Sequence, residues 1–82
     1  MPVVLRVLGF RFWFYEADIT ERAHVHVGKD NMEAKYWIKP ITLAKSMGFR
    51  EHELNQIERI IGEHQEYLLD AWNKEAKKHG NR

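Results

Sequence analysis

The stretch Val3-Val4-Leu5-Arg6-Val7-Leu8-Gly9-Phe10-Arg11-Phe12-Trp13-Phe14-Tyr15 decides the fold. Two runs of β-branched and aromatic residues flank Leu8-Gly9, and Gly9 offers the positive φ that a two-residue hairpin turn requires. With Leu8-Gly9 as the loop, Val7 stands across from Phe10, Arg6 from Arg11, Leu5 from Phe12 and Val3 from Phe14. Side chains alternate across a strand. Val3, Leu5, Val7, Phe10, Phe12 and Phe14 therefore share an apolar face, and Val4, Arg6, Arg11, Trp13 and Tyr15 share the other.

Further along, Glu16 to Ala23 is polar and without period, the pattern of a loop. His24-Val25-His26-Val27 reads as a short strand and Gly28-Lys29-Asp30-Asn31 as a turn cluster. Met32 to Ile38 reads as a further strand, stopped by Pro40. Ile41 to Met47 fits a short strand or one helical turn. Val25, Val27, Ala34, Tyr36 and Ile38 extend the apolar face; His24, His26, Glu33, Lys35 and Trp37 extend the opposite one. Beyond residue 50 the composition turns to Glu, Lys, Gln, Leu and Ala. There Leu54, Ile57, Ile61, His64, Leu68, Ala71 and Trp72 recur at steps of three and four, the stripe of an amphipathic helix. Glu51 and Glu53 near its start and Lys74, Lys77 and Lys78 near its end suit the helix dipole. Gly62 costs about 1 kcal/mol against Ala inside a helix and marks a place for a kink. The expected fold is α+β: a mostly antiparallel sheet of three to four strands, an N-terminal meander, packed on one long C-terminal helix.

Eighty-two residues make a single domain over 1–82. The absence of cysteine excludes a disulfide scaffold, a thiolate zinc site and a cysteine nucleophile. That composition suits a reducing compartment, so a cytoplasmic protein is expected. No apolar run approaches the ~20 residues that span a bilayer, and Met1-Pro2-Val3-Val4-Leu5-Arg6 lacks the plan of a secretion signal. No membrane partner and no cofactor is expected. Thirteen basic and twelve acidic side chains nearly cancel, so any polyanion site must come from local arrangement. No Gly-rich phosphate loop, Ser-centred elbow or paired-carboxylate signature is present.

The candidate site is the non-apolar face of the sheet. Arg6 and Arg11 lie directly across from each other, and like charges so placed are destabilising unless an anion or solvent offsets them. Trp13, Tyr15 and Trp37 offer rings that could stack on bases or on a partner's side chains. Lys35 adds a cation. So large an aromatic patch needs a cover, whether intramolecular, a second copy or another molecule. His24 and His26 leave several uses open. As an acid–base pair, either could activate an RNA 2′-hydroxyl while a nearby cation stabilises the phosphorane. As half of a metal site, they would need a third ligand from Asp18, Glu33, His52 or His64. They could also bind without chemistry, or simply hydrogen-bond locally. His64, on the helix stripe, reads as a boundary residue, and His52 and His79 as helix-terminal surface residues.

Taken together, several segments resemble a bacterial family described as domain of unknown function 4160. They are Pro2-Val3-Val4-Leu5-Arg6, Phe10-Arg11-Phe12-Trp13-Phe14-Tyr15, Ala23-His24-Val25-His26-Val27, Glu33-Ala34-Lys35-Tyr36-Trp37, Gly48-Phe49, Glu53-Leu54-Asn55-Gln56-Ile57 and Leu69-Asp70-Ala71-Trp72-Asn73. Members usually carry Pro before the histidine segment, where this chain has Ala23. They often carry Ser or Thr near the helix start, where it has Arg50, which removes a side-chain cap. The resemblance implies a small protein encoded beside a second small uncharacterised protein, in the manner of toxin–antitoxin pairs. Two functions follow as expectations. One is a module component, a ribonuclease toxin among the options, whose basic-aromatic-histidine face contacts RNA or the adjacent gene's product. The other is a non-enzymatic antitoxin or adaptor that docks a protein through the same face. A homodimer through that face is the structural alternative.

Overall fold

Leu8 and Gly9 form the two-residue turn, with φ of 53° and 85°. Val7 pairs with Phe10 across them. Both central residues of such a turn need positive φ, which Gly9 adopts freely and Leu8 adopts against its own Cβ. This hairpin opens a computed structural model that describes residues 3–15 and 21–80, with side chains to residue 78. Strands β1 (Val3–Val7), β2 (Phe10–Trp13), β3 (His24–Lys29), β4 (Met32–Ile38) and β5 (Ile41–Met47) follow in order. Each pairs antiparallel with the next, giving a five-stranded meander.

The sheet thus has five strands rather than three to four. Ile41–Met47 is the additional one, paired with β4 through Ile38↔Ile41, Trp37↔Thr42, Tyr36↔Leu43 and Lys35↔Lys45. The register shift leaves Ala44 as an extra, bulged residue. A bulge breaks the period-2 alternation, and most of this edge strand is exposed, so its apolar signal is weak. A second bulge corrects the start of β1. Val3 pairs with Trp13 rather than Phe14, and Leu5 keeps Phe12. The extra residue turns Val4 onto the core and Val3 toward the opposite face.

The C-terminal segment is two helices rather than one: α1 (Glu51–Glu63) and α2 (Gln65–Gly80). The break falls at His64, not at Gly62. The His64 N–H donates to both Ile60 O and Ile61 O, at 3.1 and 3.2 Å, the shared bond typical of a helix end. Gln65 then donates its Nε2–H to Ile38 O at 2.8 Å, fixing the break against the end of β4. At the start of α1 the Glu53 carboxylate accepts the Arg50 N–H at 2.9 Å.

Both helices pack on one face of the sheet. Phe10, Phe12, Phe14, Val25, Val27, Ala34, Tyr36 and Ile38 meet Ile57, Ile60, Ile61, Leu68 and Trp72, all buried. Burying each large apolar side chain contributes on the order of 1.5–3 kcal/mol. The one hydroxyl inside this layer is satisfied: Tyr36 donates to Leu54 O and to Glu58 Oε2, at 3.3 and 3.0 Å. Burial first, then the Glu58 carboxylate, push the Tyr36 phenol well above its ordinary pKa. Apart from Trp72, whose ring reaches His24, the helices leave the other sheet face open.

Candidate functional site

Pairing register arranges the open face in rows that run across the strands. One row is Arg6, Arg11, Gly28, Glu33 and Met47; the next is Val3, Trp13, His26, Lys35 and Lys45; the third holds His24, Trp37 and Thr42. Arg6 does stand opposite Arg11. That pair lies one step outside the turn-flanking Val7↔Phe10 pair, so it is a non-hydrogen-bonded pair with its side chains close. A second like-charged pair, Lys35 opposite Lys45, lies at the other margin of the sheet. Among the described residues, no carboxylate lies within ion-pair distance of Arg6, Arg11 or Lys45.

The centre of the face is glycine and rings. A Cβ on Gly28 would stand 2.9 Å from the Trp13 ring and 3.3 Å from Arg11 Nη2. The missing side chain therefore lets the indole and the guanidinium lie down on β3. Trp13 stacks on His26, with centroids 6.1 Å apart and planes 21° apart, and Tyr15 meets His26 edge-on at 4.4 Å. His26 is 8 % exposed. Its Nδ1 lies 3.7 Å from Glu33 Oε2. His26, Glu33, Lys35, Lys45 and Met47 line a shallow pocket of about 260 Å³ between β3, β4 and β5.

His24 shares the strand face but not the surface: it is 0 % exposed. Its ring centroid lies 4.9 Å from Trp72, 5.2 Å from His26 and 5.6 Å from Trp37, and its Nδ1 lies 2.9 Å from Arg22 O. Trp72 belongs to α2, and its role beside the histidines was hidden in the helix stripe. Arg22 and Lys35 both sit over Trp37, at 5.0 and 4.7 Å from a ring centroid. Lys35 also pairs with Glu21 at 3.2 Å. The chain's own cations thus cover part of Trp37, and Trp13, Tyr15 and Trp37 are all half-buried.

The eight candidate residues are therefore on one face, joined by Arg22, Glu21 and Lys45, which sequence reasoning did not single out. Lys45 was accessible to it: once 41–47 is a strand, parity sets this lysine near Lys35. Arg22 precedes β3 and carried no pattern. Among the described residues, no group of three or more His, Asp or Glu side chains is arranged to hold a metal ion. Of the third ligands considered, Glu33 approaches His26, and Asp18 lies outside the described residues, as does most of the expected 16–23 loop. Chemically the face can bind anions at its margins and stack planar groups at its centre. It presents one imidazole with surface left for proton exchange, that of His26.

No helix among the described residues is long and apolar enough to cross a membrane. No curated protein and no solved structure matches the chain. Residues 9–73 match the family described as Domain of unknown function (DUF4160). That span takes in β2 to β5, His24 and His26 and most of the helical layer, and the chain belongs to this family.

Proposed function

We propose that this family member is the RNA-contacting component of a bacterial toxin–antitoxin-like module, and that the open sheet face makes the contact. The carrying observation is the pair of like-charged cross-strand pairs, Arg6/Arg11 and Lys35/Lys45, on one face. Such pairs are destabilising unless solvent or an anion offsets them, and a bound polyanion offsets both. Arg6, Arg11, Lys35 and Lys45 bind phosphate in this reading, and Trp13, Tyr15 and Trp37 supply stacking surface. For strand cleavage the acid–base residue is His26, which keeps surface on this face, with His24 holding it from behind. The product of the adjacent gene covers the same face in the paired complex, in the cytoplasm.

A second reading is favoured by Met47, 56 % exposed beside the His26 pocket. In it the chain is a non-enzymatic antitoxin or adaptor that docks a protein through this face.

Induced expression in a bacterium, followed by ultraviolet cross-linking and recovery of bound RNA, separates the two. The first reading expects RNA on the wild type and its loss, with loss of any growth arrest, in Arg6→Glu/Arg11→Glu. Absence of cross-linked RNA, with a salt-insensitive complex with the neighbour's product, moves the assignment to the second, because phosphate contacts weaken steeply with salt and apolar ones do not.

A further inference from the structure

The two cation pairs occupy opposite margins of the face and different rows. Arg6/Arg11 bridges β1 and β2; Lys35/Lys45 bridges β4 and β5 and lies one row further from the hairpin turn. Strands are spaced about 4.8 Å apart and same-face neighbours along a strand about 6.8 Å, so the pair midpoints lie about 16 Å apart on a diagonal. Glu33 of the first row is 39 % exposed and turns its carboxylate toward His26, 3.7 Å from Nδ1. The diagonal between the two cation pairs passes beside it. It crosses Gly28, where Arg11 and Trp13 lie flat on the sheet, then the Trp13–His26 stack. It ends at Lys45, which carries no carboxylate partner among the described residues, whereas Lys35 is already shared with Glu21.

From this we infer that the open face takes a single-stranded segment laid diagonally across the strands, with one phosphate site at Arg6/Arg11, a second at Lys45, and two or three bases over Trp13 and His26 between them. The inference rests on the RNA reading and adds strandedness and path. Rings in the middle of the track can stack only on unpaired bases, which a duplex keeps inside. An open sheet of comparable breadth accommodates two or three stacked bases. The direction follows from the two cation pairs, which stand in different rows at opposite margins.

The test is fluorescence anisotropy with a labelled ten-residue oligouridylate, a labelled ten-base-pair RNA duplex and a labelled diuridylate, each at several salt concentrations. The expected result is at least tenfold tighter binding of the ten-residue strand than of the duplex. Arg11→Gln and Lys45→Gln are each expected to weaken that strand several-fold and to flatten its salt slope by about 0.7 for each phosphate left without its cation. With diuridylate, too short to reach both margins, the two substitutions should not add. Lys74→Gln, on α2 away from the sheet, should change nothing. All three side chains are at least partly exposed, and thermal melts verify that each variant folds. Duplex bound as tightly as single strand, or an undiminished affinity in Lys45→Gln, overturns the diagonal track and leaves the RNA reading standing. No binding of either RNA by the folded wild type overturns both.

Discussion

His24 shows what a single position contributes once it is seen in three dimensions. Strand parity assigns it to the same face as His26, which is correct, yet its neighbour is reachable and His24 is not. The cause is Trp72, contributed by a helix far along the chain, whose ring lies 4.9 Å away. No local pattern in the β3 segment could have announced that contact. A buried imidazole packed among three rings and held to Arg22 O is a folding residue. We expect His24→Ala to cost about 2–4 kcal/mol in urea denaturation, the range for emptying a large core site. His26→Ala, at the rim of the same cluster, should cost about half as much. The two differ in use as well. A double alanine variant that loses activity would report unfolding as readily as chemistry, so the acid–base role is tested by His26→Gln alone, with the melt measured beside it. Equal destabilisation by the two single alanine variants would contradict the burial difference on which this assignment rests.

At the scale of elements, the hairpin turn and the apolar patterns of the three inner strands were legible because each obeys one rule over its whole length. Leu8-Gly9 is a two-residue turn, so the Arg6–Arg11 pairing followed from counting. The failures sit where one residue is added, or where an element ends while its period continues. Val4 and Ala44 are bulged residues that shift everything beyond them. His64 ends a helix whose apolar stripe runs on through Leu68 and Trp72, so periodicity saw no break. The join between layers also has a pH signature. Tyr36 on β4 donates to Leu54 O and Glu58 of α1, and its folded pKa is raised. A raised pKa means that the folded state holds this proton more tightly than the unfolded chain. The associated stability is therefore complete below the unfolded tyrosine value, about 10, and is lost as pH rises above it. Tyr36→Phe should lose about 1 kcal/mol at neutral pH through its hydrogen bonds. The gap between the variants should then shrink as pH climbs above about 10. Denaturant midpoints taken at about pH 7, 9 and 11, on either side of that value, check this; a gap that stays constant would mean that the phenol ionises as readily in the folded protein as in the unfolded chain.

At the scale of the molecule, a formal net charge of +1 conceals a division between two layers. Arg6, Arg11, Arg22, Lys35 and Lys45 gather about the open face with, among the described residues, Glu21 and Glu33 against them. On the other side, α1 carries Glu51, Glu53, Glu58 and Glu63 against Arg59 alone. Overall composition could not show this; along the chain the carboxylates of 51–63 already stand together, and the fold sets that segment and the basic sheet face in opposite layers. Two copies brought together through the sheet face would set basic against basic. A sheet face against the α1 of another copy would be attractive but would not close on itself. The expected behaviour is therefore a monomer near ~0.15 M salt, where exposed charges are screened beyond about 8 Å. Near ~0.01 M salt, where the screening length is about 30 Å, a weak association that grows with concentration should appear. Sedimentation velocity across that salt range measures it. A dimer that persists at high salt and falls apart in Trp37→Glu would show instead that apolar contact across the sheet face outweighs the repulsion. In that case the rings would serve a second copy of the chain rather than a nucleic acid.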